Sequence, residues 1–315
     1  MTVFEPMEEF LYFINYKKEH KDICELEMKS IFGKKPEGKY IYSSLKINPS
    51  RSVFLNWRLN LKYKSNTLNE LVIDVEKDEL LLEDYRINFL TIDSDVNYAS
   101  RLDAMSKIGW CINGSFSLKS PKVELAVTKK DGVWLFGYYE KSDSSWLTRK
   151  QKPHNYSFAL DVWLSKTLVN IAMENDLKKS LVDPCCGVGT VLIEALILGV
   201  NIKGYDFNQA IVNLANENIE FFGFNGNTIC SDIKDINETY DVAIIDLPYG
   251  QFIKSHSDTA LTVIQQSKKT ANRIIFVSMI DITDLLNEYE LQVIDKCTVM
   301  KRSKFSRFIT ICDGL

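Results

Sequence analysis

The 315-residue sequence predicts an α/β protein: an open, mostly parallel sheet with helices on both faces, preceded by an α+β region. Three observations predict this. From Leu181 onward apolar strand-like runs alternate with helical ones, and such alternation implies crossover connections between parallel strands. Asp183-Pro184-Cys185-Cys186-Gly187-Val188-Gly189-Thr190 lies between the apolar pair Leu181-Val182 and the apolar segment Val191–Leu198, which reads as strand, tight glycine turn, helix. Finally, four predicted strands each end on, or run into, a carboxylate.

The elements follow in order. Phe10 to Ile14 is strand-like, Ile23–Ile31 has helical spacing, and Gly33 to Gly38 is a turn. Leu71–Val75 reads as a strand and Asp95–Ile108 as a helix. Val123–Val127 and Val133–Tyr139 are strands joined across Lys130-Asp131-Gly132, a hairpin signal. Glu140 to Asn155 is polar and basic and reads as a linker. Tyr156–Glu174 then reads as an amphipathic helix, with Leu160, Leu164, Leu168 and Ile171 on one face.

Beyond the glycine turn come strands at Ile202–Tyr205, Thr228–Cys230, Val242–Ile245 and Arg273–Ser278. The helices are Gln209–Phe222, capped by Asn208 and Gly223, then Asp258–Thr270 and Asp281–Glu290. Gln292–Val299 and Phe305–Cys312 close the chain as a pair that so short a connection forces to be antiparallel. Domains are therefore expected at 1–66 and 67–148, both α+β, and at 149–315.

Composition bounds the function. With 45% hydrophobic and 25% charged residues the chain is of ordinary globular type, and no apolar run reaches the ~18 residues of a membrane span. Met1 to Phe10 carries acids and lacks the basic start of a signal peptide, so a cytoplasmic setting is expected. Seven scattered cysteines without a CxxC pair read as buried thiols, not as a metal site. The net charge of −4 and pI of 5.6 oppose a generally basic nucleic-acid binder. Local basic clusters remain, at Arg149, Lys150 and Lys152 and at Lys301, Arg302, Lys304 and Arg307, and these are expected to meet RNA phosphates.

The turn and the acids carry the chemistry. Gly187 and Gly189 let a ligand approach the backbone, and the helix behind them turns its free N–H groups toward the same spot. The spacing is neither GxGxxG nor GxxxxGK[ST], and Asp183 beside the turn opposes a pyrophosphate. It suits a positively charged group, such as the amino group of S-adenosylmethionine. In an open parallel sheet ligands lie beyond the C-terminal ends of the strands, where Asp183, Asp206, Asp232 and Asp246 fall. Asp206 stands ~20 residues past the turn, where an acid can receive ribose hydroxyls. In Asp246-Leu247-Pro248-Tyr249 the proline holds Leu247 extended, so the acid and nearby carbonyls can accept from an exocyclic –NH₂ while Tyr249 stacks on a base.

On these residues, the chain from about Lys152 to Leu315 resembles the class I S-adenosylmethionine-dependent methyltransferases that act on amino groups. It is most similar to the THUMP-associated tRNA guanine-N2 methyltransferases and their bacterial relatives. Asp183 to Thr190 matches the cofactor turn and Asp246 to Tyr249 the catalytic motif, commonly D/N-P-P-Y/F/W, with Leu247 here in place of the first proline. Arg149 to Ser157 is similar to the segment that precedes the domain in that group, and Pro121–Val127 with Val133–Gly137 to the closing part of a THUMP domain.

The resemblance implies a seven-stranded Rossmann-like domain of order 3-2-1-4-5-7-6 with the last strand antiparallel. It implies S-adenosyl-L-methionine as cofactor, held by Tyr156, Ser157, Asp183, Pro184, Cys185, Gly187, Gly189, Thr190 and Asp246. Asp206 would take the ribose, Asp232 the adenine amino group, and Phe207 or Ile233 the adenine ring. Asp246, Pro248 and Tyr249 would be catalytic, no metal would be needed, and the substrate would be tRNA or another structured RNA, bound by a monomer. Other amino acceptors (DNA adenine, rRNA, protein glutamine) and a tRNA-binding protein with a decayed catalytic domain stay open at this stage. The missing GxGxxG makes a nicotinamide-linked dehydrogenase the weakest reading.

Overall fold

The computed structural model describes residues 8–93, 95–155, 159–226, 228–247, 258–302 and 305–314; for residues 258, 301, 302 and 305 it describes the backbone alone. The chain divides into two compact units that are not consecutive stretches. One comprises residues 1–15, 37–50 and 55–143, the other residues 16–36, 51–54 and 144–315. The expected boundary at 148 lies close to the division at 143/144. The expected boundary at 66/67 falls between two elements of one unit, and residues 16–36 group with the C-terminal unit.

The first unit is a seven-stranded mixed sheet in the order β2-β1-β3-β7-β6-β4-β5. Its strands are β1 (Glu9–Ile14), β2 (Tyr40–Ser43), β3 (Leu55–Ser65), β4 (Leu81–Leu90), β5 (Asn113–Phe116), β6 (Val123–Lys130) and β7 (Val133–Lys141). The two-residue alternation of β6 sends Leu125 and Val127 to one face, where they pack with Leu71 and Val75 of α2 (Leu68–Lys77) and Ala104 and Ile108 of α3 (Tyr98–Trp110). Ala126 points the other way, into a cluster with Leu11, Trp57 and Leu59.

Leu71–Val75, expected as a strand, is part of α2. Thr67 accepts from the Glu70 N–H while the Glu70 carboxylate accepts from the Thr67 N–H, a capping box that starts a helix. The fully buried Leu71 and Val75 are then one helical turn apart on the core face. Strands β3 and β4 were not expected as such, although Leu55, Trp57, Leu59, Leu61 and Tyr63 alternate along β3.

The second unit holds a seven-stranded sheet in the order β10-β9-β8-β11-β12-β14-β13. Numbered from β8, this is 3-2-1-4-5-7-6, as the resemblance implied. The strands are β8 (Leu181–Asp183), β9 (Ile202–Asp206), β10 (Thr228–Cys230), β11 (Tyr240–Asp246), β12 (Ala271–Ser278), β13 (Gln292–Arg302) and β14 (Phe305–Asp313). The first five pair parallel, while β14 runs antiparallel to both β12 and β13. Helices α5 (Thr190–Ile197), α6 (Gln209–Phe221), α7 (Asp258–Thr270) and α8 (Thr283–Glu288) fill the connections.

Helix α4 (Val162–Met173), shorter than its expected span, is buried along nearly its whole length. It packs on α1 (Lys21–Phe32), which also lies against β13. Polar groups inside this packing are matched to each other. The Glu27 carboxylate accepts from Ser52 Oγ at 2.6 Å and from Asn170 Nδ2 at 2.6 Å, and Arg51 Nε donates to Asn170 Oδ1 at 3.0 Å. Burial pushes the Glu27 carboxyl up to about 7. No described helix is long and apolar enough to cross a membrane.

Candidate functional site

The glycine turn is built by backbone and carboxylates together. Strand β8 is fully buried and delivers Asp183 to its end, 4% exposed, with its Oδ1 accepting from the Cys185 N–H at 3.1 Å. The chain then reverses at Gly187 (φ 52°) and Gly189 (φ 80°), in the left-handed region that favours glycine. A Cβ at Gly187 would meet no protein atom within 4 Å, so the backbone conformation and not crowding asks for glycine there. Asp206, ending β9, accepts from the Gly187 N–H at 3.2 Å and from the Asn208 N–H at 2.9 Å. One carboxylate thus ties the turn to the next strand and caps the loop into α6.

Two adjoining cavities open at these strand ends, of about 400 and 360 Å³. The first is lined by Asp183, Cys185, Gly187, Thr190, Asp206, Phe207 and Asp246 among others. The second is lined by Pro184, Cys185, Asp206, Phe207, Asp232, Ile233 and Asp246, with residues of α7. Among the described residues, each expected cofactor residue lines one or both cavities, except Gly189, which shapes the turn from behind and faces Ala215 of α6. Tyr156 and Ser157 lie outside the described residues, as do Pro248 and Tyr249. Asp246, half-buried, reaches both cavities from the end of β11. Phe207 is 80% exposed and lines both cavities, which leaves its ring open to a ligand.

Four carboxylates, Asp183, Asp206, Asp232 and Asp246, line the site. Burial, with the carboxylates of Asp246 and Asp206 nearby, pushes the Asp183 carboxyl up to about 8 against the opposing pull of the Cys185 N–H. Burial likewise pushes the thiols of Cys185 and Cys186 well above their ordinary range, so both are protonated at neutral pH. Among the described residues no three His, Cys, Asp or Glu side chains are gathered to hold a metal ion. The donor set suits a ligand that carries positive charge, hydroxyls and an adenine-like ring.

The basic segment before the domain behaves differently from the expectation. Ser145–Gln151 is a 3-10 helix, not an open linker. Arg149 is 7% exposed and forks onto Glu194 of α5, Nε to Oε1 at 2.7 Å and Nη2 to Oε2 at 2.9 Å. Lys152 is 6% exposed and donates to Thr190 Oγ1. Both heads therefore face inward, away from any RNA phosphate. Lys150 is exposed, its ammonium 5.8 Å from the Trp146 ring centroid. In the terminal hairpin Arg307 is buried at 5% exposure, Lys301 and Arg302 are described by backbone alone, and Lys304 lies outside the described residues.

Sequence reasoning missed two residues that shape the site. Glu194 sits inside the apolar run Val191–Leu198, and an acid there has to find a buried cation. Asn218, fully buried on α6, donates to the carbonyls of His154 and Val188, each at 2.9 Å, and accepts from the His154 N–H at 2.8 Å. It fastens the segment before the domain to the glycine turn. Its signal was a polar residue on the face of α6 that carries Val212, Ala215 and Ile219.

Leu247, the departure from D/N-P-P-Y, also has a place. Its N–H donates to the Val277 carbonyl at 2.9 Å, extending the β11–β12 pairing, and its side chain is 1% exposed in the core. A proline there would lose that donor. We expect Leu247→Pro, which restores the common motif, to destabilise the protein by about 2–4 kcal/mol in chemical denaturation. A loss under about 1 kcal/mol would mean that neither contact matters.

Strand order, turn and strand-end acids define the class, a class I methyltransferase fold. The sequence comparison agrees: residues 149–301 match the family described as UPF0020, RMKL-like, methyltransferase domain. A tRNA (guanine(10)-N2)-dimethyltransferase of Methanothermobacter thermautotrophicus is 32% identical over 103 residues, 32% of this chain and 30% of the relative. The enzyme of the same description from Pyrococcus abyssi is 25% identical over 176 residues, 52% of this chain and 53% of the relative. The chain thus matches about half or less of the length of these two relatives. Among solved structures, TrmN from Thermus thermophilus aligns over 98% of this chain and 100% of its own, at 13% identity and a TM-score of 0.47.

Proposed function

We propose that this chain is an S-adenosylmethionine-dependent methyltransferase that modifies an exocyclic amino nitrogen of a base in RNA, namely guanine N2 in tRNA. The observation that carries the reading is the convergence of Asp183, Asp206, Asp232 and Asp246 on two adjoining cavities beside a glycine turn. The family match and the descriptions of the two curated relatives support the reaction and the substrate. When bound, the cofactor supplies a methyl group on a positively charged sulfur, which leaves readily.

The residues present fit that cofactor. Asp183 receives the α-ammonium, Asp206 the ribose hydroxyls, and Asp232 the adenine amino group, with Phe207 and Ile233 against the adenine ring. Asp246 accepts a hydrogen bond from the target –NH₂ and points the nitrogen lone pair at the methyl carbon, while Tyr249 stacks on the base. After transfer the methylated nitrogen would give up one proton to solvent water. Lys150, Lys301, Arg302 and Lys304, with the N-terminal unit, hold the RNA. All seven cysteines are free thiols, in keeping with a reducing cytoplasm.

Binding calorimetry tests the cofactor assignment through Asp183. Its carboxyl, at about 8 in the free protein, is mostly protonated at pH 7. An ammonium beside it favours the carboxylate, so binding releases the proton and the affinity rises with pH up to about 8. S-adenosylhomocysteine should bind with release of most of a proton at pH 7, measured in buffers of different ionisation enthalpy. 5′-Methylthioadenosine, which lacks the ammonium, should bind without it. No binding of S-adenosylhomocysteine would sink the proposal; binding with no proton release would take Asp183 off the ammonium.

A further inference from the structure

The mechanism above leaves unused a cluster of buried charged groups beside the glycine turn. Lys152, Arg149 and Glu194 are each over nine-tenths buried, at 6, 7 and 3% exposure, and lie together beside the turn. Two cations face one carboxylate. Arg149 takes both oxygens of Glu194 in its fork, leaving the ammonium of Lys152 on Thr190 Oγ1. Burial lowers Lys152 to about 8, and the charge of Glu194 opposes that lowering, so at neutral pH the lysine is still mostly charged. A buried excess of positive charge is costly unless an anion comes to it.

Thr190 shows where such an anion would come from. An ammonium has only donors, so Thr190 Oγ1 is the acceptor and its own O–H is left to donate elsewhere. Thr190 is the first residue of α5 and lines the larger cavity. The acids Asp183, Asp206 and Asp246 line the same cavity, so its wall carries carboxylates at the strand ends and, at Thr190, a hydroxyl backed by a cation.

We infer that Lys152, acting through the Thr190 hydroxyl, forms the subsite for the α-carboxylate of the cofactor, and so makes the pocket selective for an intact amino-acid end. The inference rests on the cofactor reading above. In it Lys152 is a positioning residue: it fixes the hydroxyl as a donor toward the cavity and supplies the balancing charge. Arg149 and Glu194 form the scaffold that keeps the lysine in place.

The test compares two ligands that differ only in the carboxylate. S-adenosylhomocysteine has both ammonium and carboxylate; S-adenosyl-3-thiopropylamine keeps the amine and lacks the carboxylate. By calorimetry the wild-type protein should prefer the first at least ~10-fold, a charge-assisted hydrogen bond's worth. Lys152→Met and Thr190→Val should each bring that ratio to within about twofold of unity, and Lys152→Arg should keep part of it. If Lys152→Met weakens both ligands alike and leaves the ratio intact, the lysine is structural and the inference fails. A wild-type ratio near one also overturns it, with the cofactor reading standing. If the wild type binds neither ligand, that reading fails and the inference falls with it. Should Lys152→Met not fold, the pair Thr190→Ser and Thr190→Val decides. Val removes both the hydroxyl and the acceptor of Lys152, so the ratio should collapse in Val and persist in Ser, and a ratio that persists in Val overturns the inference.

Discussion

Asp246→Asn should bind S-adenosylhomocysteine and tRNA almost as the wild type does, while its methyl transfer falls by at least ~100-fold, the ~2.7 kcal/mol of one lost transition-state contact. The amide keeps the shape and one acceptor oxygen but loses the charge. Asp246 stands at the end of β11, its backbone paired with Val277 of β12, and its position touches both cavities. In the proposed reaction a carboxylate there would accept from the target amino group and stabilise the positive charge that grows on nitrogen as the methyl carbon is transferred. That interaction strengthens only in the transition state, so its loss should lower kcat and leave binding alone. If the acid merely capped the turn, the variant would lose stability and keep its turnover. Transfer by the Asn variant within about threefold of wild type, followed with labelled cofactor, would remove Asp246 from the chemistry.

The largest effect on stability should come from Glu194→Ala. Arg149 and Glu194 form a two-pronged ion pair whose side chains are 7 and 1% exposed. Removing the acid strands two cations, Arg149 and Lys152, in the interior beside α5. Breaking a buried pair from one side costs about 3–5 kcal/mol, against 0–1 kcal/mol for a pair on the surface. The denaturant midpoint should fall accordingly, and Arg149→Met with Glu194→Met should recover much of the loss by replacing the pair with packing. A cost below ~1 kcal/mol for Glu194→Ala would mean that the pair is solvated and that Arg149 is available at the surface after all.

The C-terminal sheet was legible because its signals are local. Each strand is a short apolar run, each crossover a helix with its own caps, and each acid stands beside the strand it terminates. Asp206 and Asp246 could be placed at the ligand end of the sheet from that alone. The Leu71–Val75 segment misled because five mostly apolar residues fit a strand and a helix equally; the deciding signal, Thr67 with Glu70, lay just upstream. The basic cluster misled for another reason. A count of lysines and arginines says nothing of burial, and the partner of Arg149 is 45 residues away in sequence. The helix Lys21–Phe32 was read correctly as a helix, but its membership of the C-terminal unit depends on Glu27 meeting Asn170, 143 residues on. Such pairings are invisible to local periodicity, although a fully buried acid in α1 and another in α5 were signs that partners had to exist.

The central claim, amino-methylation of a base in tRNA, is tested most directly by the product. The wild-type protein is incubated with methyl-labelled S-adenosylmethionine and tRNA from a strain lacking this protein, and the RNA is digested to nucleosides. The label should appear in N2-methylated guanosine. Label on no nucleoside of that tRNA, in a preparation that binds S-adenosylhomocysteine by calorimetry, would contradict the account.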